Sequence, residues 1–152
     1  MTVYTRAEDV SNALFARLRT ITKANGYETD IGVRAYKGRR NVDESQVPCV
    51  ILIEGADSAT DRPGRIPSVA ITQTYVIAAY VTVAHPDNPN DDAHKVLRDI
   101  KRAVFKDDTT LGGKVLRVKY TGRDIGPRAD GVPVVFVTVD LEVDYVEDLT
   151  NP

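Results

Sequence analysis

One cysteine in 152 residues leaves nothing from which to build an internal disulfide framework, so folding in a reducing compartment is expected. That residue, Cys49, opens the run CVILI, which is apolar at every position. Such a strand is expected to be covered on both sides, with the thiol buried and inert, and no histidine lies near it in sequence to activate it. Long apolar runs are missing as well. Val69 to Ala84 is broken by Thr72, Gln73 and Thr74 and alternates as a strand does, so no membrane span is expected. Neither sign of charge dominates: a net charge of −2 and a pI near 5.7 argue against a dedicated nucleic-acid binder. The opening MTVYTRAED has no basic segment followed by an apolar core, so a signal peptide is not expected and the chain reads as soluble.

What is present is patterning. Residues 1–152 fit a single domain, and a chain of this size buries roughly 70% of its unfolded surface. Val134 to Val146 reads VVFVTVDLEVDYV, with Val135, Val137, Val139, Leu141, Val143 and Tyr145 on one side and Thr138, Asp140, Glu142 and Asp144 on the other. At about 3.3 Å per residue this strand reaches roughly 43 Å, more than double the usual span. A strand that outruns its own domain needs a partner beyond it, which points to assembly and makes Asp140, Glu142 and Asp144 a candidate subunit contact.

The spacing of Val10, Leu14, Leu18 and Ile21 predicts a helix over Arg6 to Asn25, with a Thr5/Glu8 capping box and a stop at Asn25-Gly26. A strand is predicted from Tyr27 to Tyr36, then a polar loop from Lys37 to Val47, then Pro48 leading into the strand Cys49 to Glu54. Gly55 to Ser68, GADSATDRPGRIPS, is rich in turn formers and lacks a period, so a mobile loop is expected over 55–68. Val69 to Ala84 follows as a strand with Val69, Ile71, Tyr75, Ile77, Ala79, Val81 and Val83 on one face. A second helix is predicted from near Asp92, capped by Asn90 or Asp91, with Ala93, Leu97, Ile100 and Val104 as its stripe. That helix, at roughly 21 Å, would leave about half of each long strand uncovered. Lys114 to Thr121 is a further strand, Gly122 to Pro133 a turn, and 147–152 a short C-terminal tail. The order α-β-β-β-α-β-β with hairpin-length connections predicts an α+β fold: a mainly antiparallel sheet with two helices on one face.

Chemistry is sparse. Gly112-Gly113-Lys114 lacks the spacing and the following hydroxyl residue of a phosphate loop, and none of Ser11, Ser45, Ser58 or Ser68 sits in a nucleophile elbow. His85, Asp87, Asp91, Asp92 and His94 match no zinc or calcium spacing, and acids at a helix start are explained by capping and the helix dipole. No catalytic residue, cofactor or metal is therefore expected. Basic residues gather in loops: Arg34, Lys37, Arg39 and Arg40, then Arg62 and Arg65, then Arg123 and Arg128. Two readings stay open, scattered solvated charge and loops aimed at a polyanion or an acidic partner.

The phrases PCVIL at 48 to 52, HPDNPNDDAHKVLRDIKRAVF, LGGKV at 111 to 115, YTGRDIGPRADG at 120 to 131 and VDLEVDYVEDL at 139 to 149 together resemble tail terminator or tail-completion proteins of long-tailed bacteriophages. The resemblance implies a small α+β domain and no active site. It also implies a virion protein of the tail or neck, assembled in the host cytoplasm, that forms rings with copies of itself, commonly hexameric. Its other implied partners are the tail tube protein, the head connector or neck protein, and DNA passing through the ring lumen without sequence recognition. Lys37, Arg39, Arg40, Arg62 and Arg65 would then face the lumen or a partner. A head–tail joining protein of the neck is the alternative within the same class, and a small ligand- or nucleic-acid-binding domain lies outside it.

Overall fold

The structure, a computed structural model, describes residues 2–126 and 133–152. Its elements are α1 (Ala7–Arg19), β1 (Ala35–Lys37), β2 (Cys49–Arg62), β3 (Ser68–Thr82), α2 (Pro89–Phe105), β4 (Arg117–Ile125) and β5 (Val134–Asp148), with short 3-10 turns at Lys23–Asn25, Ile31–Val33 and Glu44–Gln46. The strands form one sheet in the order β1-β2-β3-β5-β4. The β1–β2 pair is parallel and every other pair antiparallel. This is the expected α+β fold, in the expected order of helices and strands.

The sheet is organised around β3 and β5, which pair without interruption from Ser68↔Asp148 to Thr82↔Val134. Alternation places Ile71, Tyr75, Ile77, Ala79 and Val81 of β3 beside Val135, Val137, Val139, Leu141, Val143 and Tyr145 of β5, and all of them are buried. Onto this face pack Val10, Leu14 and Leu18 of α1 and Val96, Leu97, Ile100 and Val104 of α2. Leu111 and Val115, in the connection from α2 to β4, complete the cover. The apolar run at the start of β2 is buried on both faces as expected, with Cys49 and Ile51 opposite Val50 and Leu52.

Several boundaries differ from the sequence reading, at Thr5 and at Glu28 and Thr29 because a tertiary hydrogen bond takes the place of a local one. The helix predicted to Asn25 ends at Arg19, and the chain turns through Ile21 into the 3-10 turn that Gly26 closes at φ 87°. The Thr5/Glu8 capping box does not form: Arg6 is the N-cap, while Thr5 donates its backbone N–H to Val146 O (2.8 Å) and its hydroxyl to Lys114 O. The predicted strand over Tyr27 to Tyr36 shrinks to Ala35–Lys37, because the Glu28 and Thr29 N–H groups donate to the buried Asp99 carboxylate at 3.0 and 2.8 Å. Helix α2 begins earlier than Asp92, at Pro89, where a missing N–H costs nothing. The neighbouring Asn90 and Asp91 lie inside that helix, and Asp92 accepts a bond from Ala84 N at 2.9 Å.

Two larger expectations are corrected. The segment 55–68 is not a structureless loop: β2 continues to Arg62, pairing from Asp57↔Gln73 to Arg62↔Ser68, after a bulge between Glu54 and Asp57. The long strands β3 and β5 are not half uncovered, since their inner faces are buried nearly end to end. The strand that outruns the core is β2, whose residues from Glu54 to Asp61 are all exposed.

Gly32 marks where the turn after α1 meets the sheet side of the core. Its N–H donates to Ile21 O at 2.8 Å, and a Cβ there would stand 2.6 Å from Leu18 O and 2.7 Å from Ile21 O, both fixed backbone atoms. Gly32→Ala is expected to destabilise the fold by about 1–3 kcal/mol, the cost of overpacking a closed site, as read by urea unfolding.

Candidate functional site

The basic residues singled out from the sequence fall into two separate groups. Lys37 ends β1 opposite Leu52, held by Asn12 and lying over the Phe15 ring at 5.1 Å. The chain then crosses the outer sheet face, away from the helices, where Arg40 stacks on Tyr36 at 3.7 Å. Arg39, Arg40 and Asn41 wall a groove of about 420 Å³ floored by Ile51, Ala78, Tyr80 and Phe136. Arg62 lies ten residues beyond Leu52 on the same strand, roughly 33 Å away at about 3.3 Å per residue, and Arg65 sits in the turn that follows. Arg62 is half-buried and lines a hollow together with Val3, Ala70 and Leu116. One continuous basic surface is therefore not what these five residues make. Arg128 lies outside the described residues.

The acids of β5 sit on the outer face of a central strand, away from both sheet edges. Lys119 of β4 bridges two of them, with its ammonium 3.3 Å from Glu142 and 3.2 Å from Asp144. Asp144 also accepts from Thr72 Oγ1 at 2.7 Å. The hydrogen bonds that Lys119 donates to Asp144 and Glu142 raise its pKa. Asp140 has no such partner among the described residues and is exposed.

His85 and His94 are exposed, and among the described residues no group of three His, Cys, Asp or Glu side chains is placed to hold a metal ion. No helix among them is long and apolar enough to cross a membrane. Cys49 is buried, and burial raises its thiol pKa, the opposite of what a nucleophile needs. Burial likewise raises Tyr75, and pushes Tyr145 up to about 12.

Sequence reasoning missed the sheet edges. Past Leu52, β2 has lost β1 as a neighbour, and among the described residues no backbone group pairs with its outer side. On β4 the Val118 N–H is taken by Thr109 O at 2.8 Å, and from Tyr120 to Ile125 the outer side is likewise unpaired among the described residues. A bulge interrupts each edge, at Glu54/Asp57 and at Tyr120/Gly122. The signal that could have found the β2 edge was the run ADSATD, where small and charged residues stand together without alternation because both faces are wet.

The arrangement defines a small α+β scaffold with one helix-covered sheet face, one outer face crossed in part by the chain after β1, and two charged edges. No protein-family model matches the chain, and no curated protein matches it. Among solved structures it is similar to a chain of the virion of a native gene transfer agent (GTA) particle, with a TM-score of 0.56, 9% identity, and coverage of 90% of this chain and 94% of that one. The likeness is one of fold.

The acids of β5 should separate on mutation. Asp140→Lys is expected to change stability by no more than about 0.5 kcal/mol, as surface positions do. Asp144→Lys, which strands Thr72 and faces Lys119 with a like charge, is expected to cost about 1–3 kcal/mol in the same unfolding assay. Equal costs for the two would mean that the bridge holds nothing.

Proposed function

We propose that this chain is a structural protein of a phage-like virion. The observation that carries the reading is the match of nearly the whole fold to a chain of a gene transfer agent virion, at near-complete coverage of both. The phrase-level resemblance to tail-completion proteins supports the same class. In the finer form of the proposal, copies of the chain form a ring at the end of the tail tube. Tube growth stops there because the exposed surface offers no site for another tube subunit, and the head connector docks on it instead.

Termination of this kind is a binding event, so it calls for shape and charge rather than a reactive group. The rigid β3–β5 ladder under two helices supplies a stiff body, and the charged loops and edges supply the contacts. A chain of net charge −2 would let DNA pass a lumen without gripping it, since tight non-specific binding rests on many cationic contacts.

Particles made without this protein are the test. Overlong tails are expected in electron micrographs, together with the protein in purified normal particles at a fixed ratio to the tail tube. Tails of normal length that fail to join heads would move the protein to the neck. Absence from purified particles would end the virion reading altogether.

A further inference from the structure

The two sheet edges carry opposite charge on the same face. On β2, Glu54, Asp57 and Asp61 pair with Tyr75, Gln73 and Val69, which places all three carboxylates on the helix side of the sheet, beyond the helices' cover and exposed. On β4, Arg123 pairs with Val139 and so projects to that same side, exposed. Lys101 of α2 reaches over the neighbouring Tyr120 ring at 4.7 Å and adds a second cation at this edge. Both edges are unpaired among the described residues, from Ile53 to Arg62 on β2 and from Tyr120 to Ile125 on β4.

We propose that β4 of one copy adds to the distal half of β2 of the next, so that the sheet runs on from subunit to subunit with Arg123 and Lys101 set against Glu54, Asp57 and Asp61. The occupant is a second copy of this chain because its own opposite edge has the matching charge. Glycine and alanine at 55, 56 and 59 leave room for close backbone approach. Like edges do not substitute. Two β2 edges would bring carboxylates together, two β4 edges would bring cations together, and like charges across a strand pair are destabilising. Charge and a bulge thus keep each edge from its own kind while leaving the unlike pairing open. Joining two different patches is a heterologous contact, which closes as a ring or propagates as a filament. This inference rests on the proposed assembly role, and it names the surfaces through which assembly occurs.

The test uses two full-length variants, Glu54→Lys/Asp57→Lys/Asp61→Lys, in which both edges are positive, and Lys101→Glu/Arg123→Glu, in which both are negative. Sedimentation velocity is expected to show wild-type chain in an assembled species that weakens with added salt. Each variant alone should be folded by circular dichroism and self-associate at least about tenfold more weakly, a change of about 1.4 kcal/mol. Mixing the two should restore the assembled species, because each then offers the other an unlike edge at both ends. Assembly of either variant as strong as wild type, a mixture that stays dissociated, or a wild-type chain that is monomeric at every concentration would each overturn the edge pairing. The virion reading fails separately, by absence of the protein from purified particles.

Discussion

The β3–β5 ladder is the constraint on which the rest of the molecule depends. Fifteen residues of each strand pair in strict register, from Ser68↔Asp148 to Thr82↔Val134, with no bulge to let either strand bend away. Because side chains alternate, a slip of one residue would turn Val135, Val137, Val139, Leu141, Val143 and Tyr145 of β5 off the helix-covered face. Register and core are therefore one decision. The length of the ladder also sets what must cover it. Helix α2 has 17 residues, about 25 Å at 1.5 Å each, against a ladder of roughly 50 Å. The inner face is dry only because α1 and the residues Leu111 and Val115 share the work with α2.

With the centre fixed, the edges follow. Within the chain β2 pairs along its length with β3 and β4 pairs with β5, while β1 adds just three paired residues on the other side of β2, at Val50 to Leu52. Everything on β2 beyond that point has a neighbour on one side alone. The exposed edge is thus a consequence of sheet order, and on the helix side of the sheet distal β2 carries Glu54, Asp57 and Asp61 where β4 carries Arg123. The acids of β5 play a different part: two of the three are tied to Lys119 and belong to the outer face of the sheet's interior.

Legibility in the sequence tracked burial asymmetry. The alternation of Val135 to Tyr145 and the stripe of Ala93, Leu97, Ile100 and Val104 each read correctly because one face is dry and the other wet, and the apolar Cys49 to Leu52 read correctly because both are dry. Where both faces are wet the pattern vanishes, so Ala56 to Asp61 looked like loop although it is strand. The other failures were donors claimed from afar. Nothing local tells that Glu28 and Thr29 give their N–H groups to Asp99, some seventy residues on, or that Thr5 serves Lys114 and Val146 instead of its own helix. Among candidate site residues, grouping was not legible, and Arg62, Glu142 and Asp144 are half-buried. Lys37, Arg39 and Arg40 are separated from Arg62 and Arg65 by the length of a strand, and Asp140 is separated from Glu142 and Asp144 by a single lysine that only the β4–β5 register brings near.

The energetics of distal β2 bear on why it should be a strand at all. Fixing a residue's backbone costs roughly 1–2 kcal/mol, and a hydrogen bond in water returns about 0.5–1.5 kcal/mol net. From Glu54 to Asp61 the side chains are exposed, so burial adds little to that balance, and only the β3 side of the strand is bonded. Side-chain donors help at the bulge, where Gln73 Nε2 bonds Gly55 O at 2.6 Å and Thr74 Oγ1 bonds Ala56 O at 2.8 Å, yet both also come from β3. Alone, the segment sits near balance. A strand docked on its free side would roughly double its backbone hydrogen bonds for no further backbone ordering of β2, and would bury the small residues Gly55, Ala56 and Ala59. The same few residues are thus weakly stabilised in an isolated chain and have much to gain from a neighbour, a combination suited to an element whose geometry is completed by assembly.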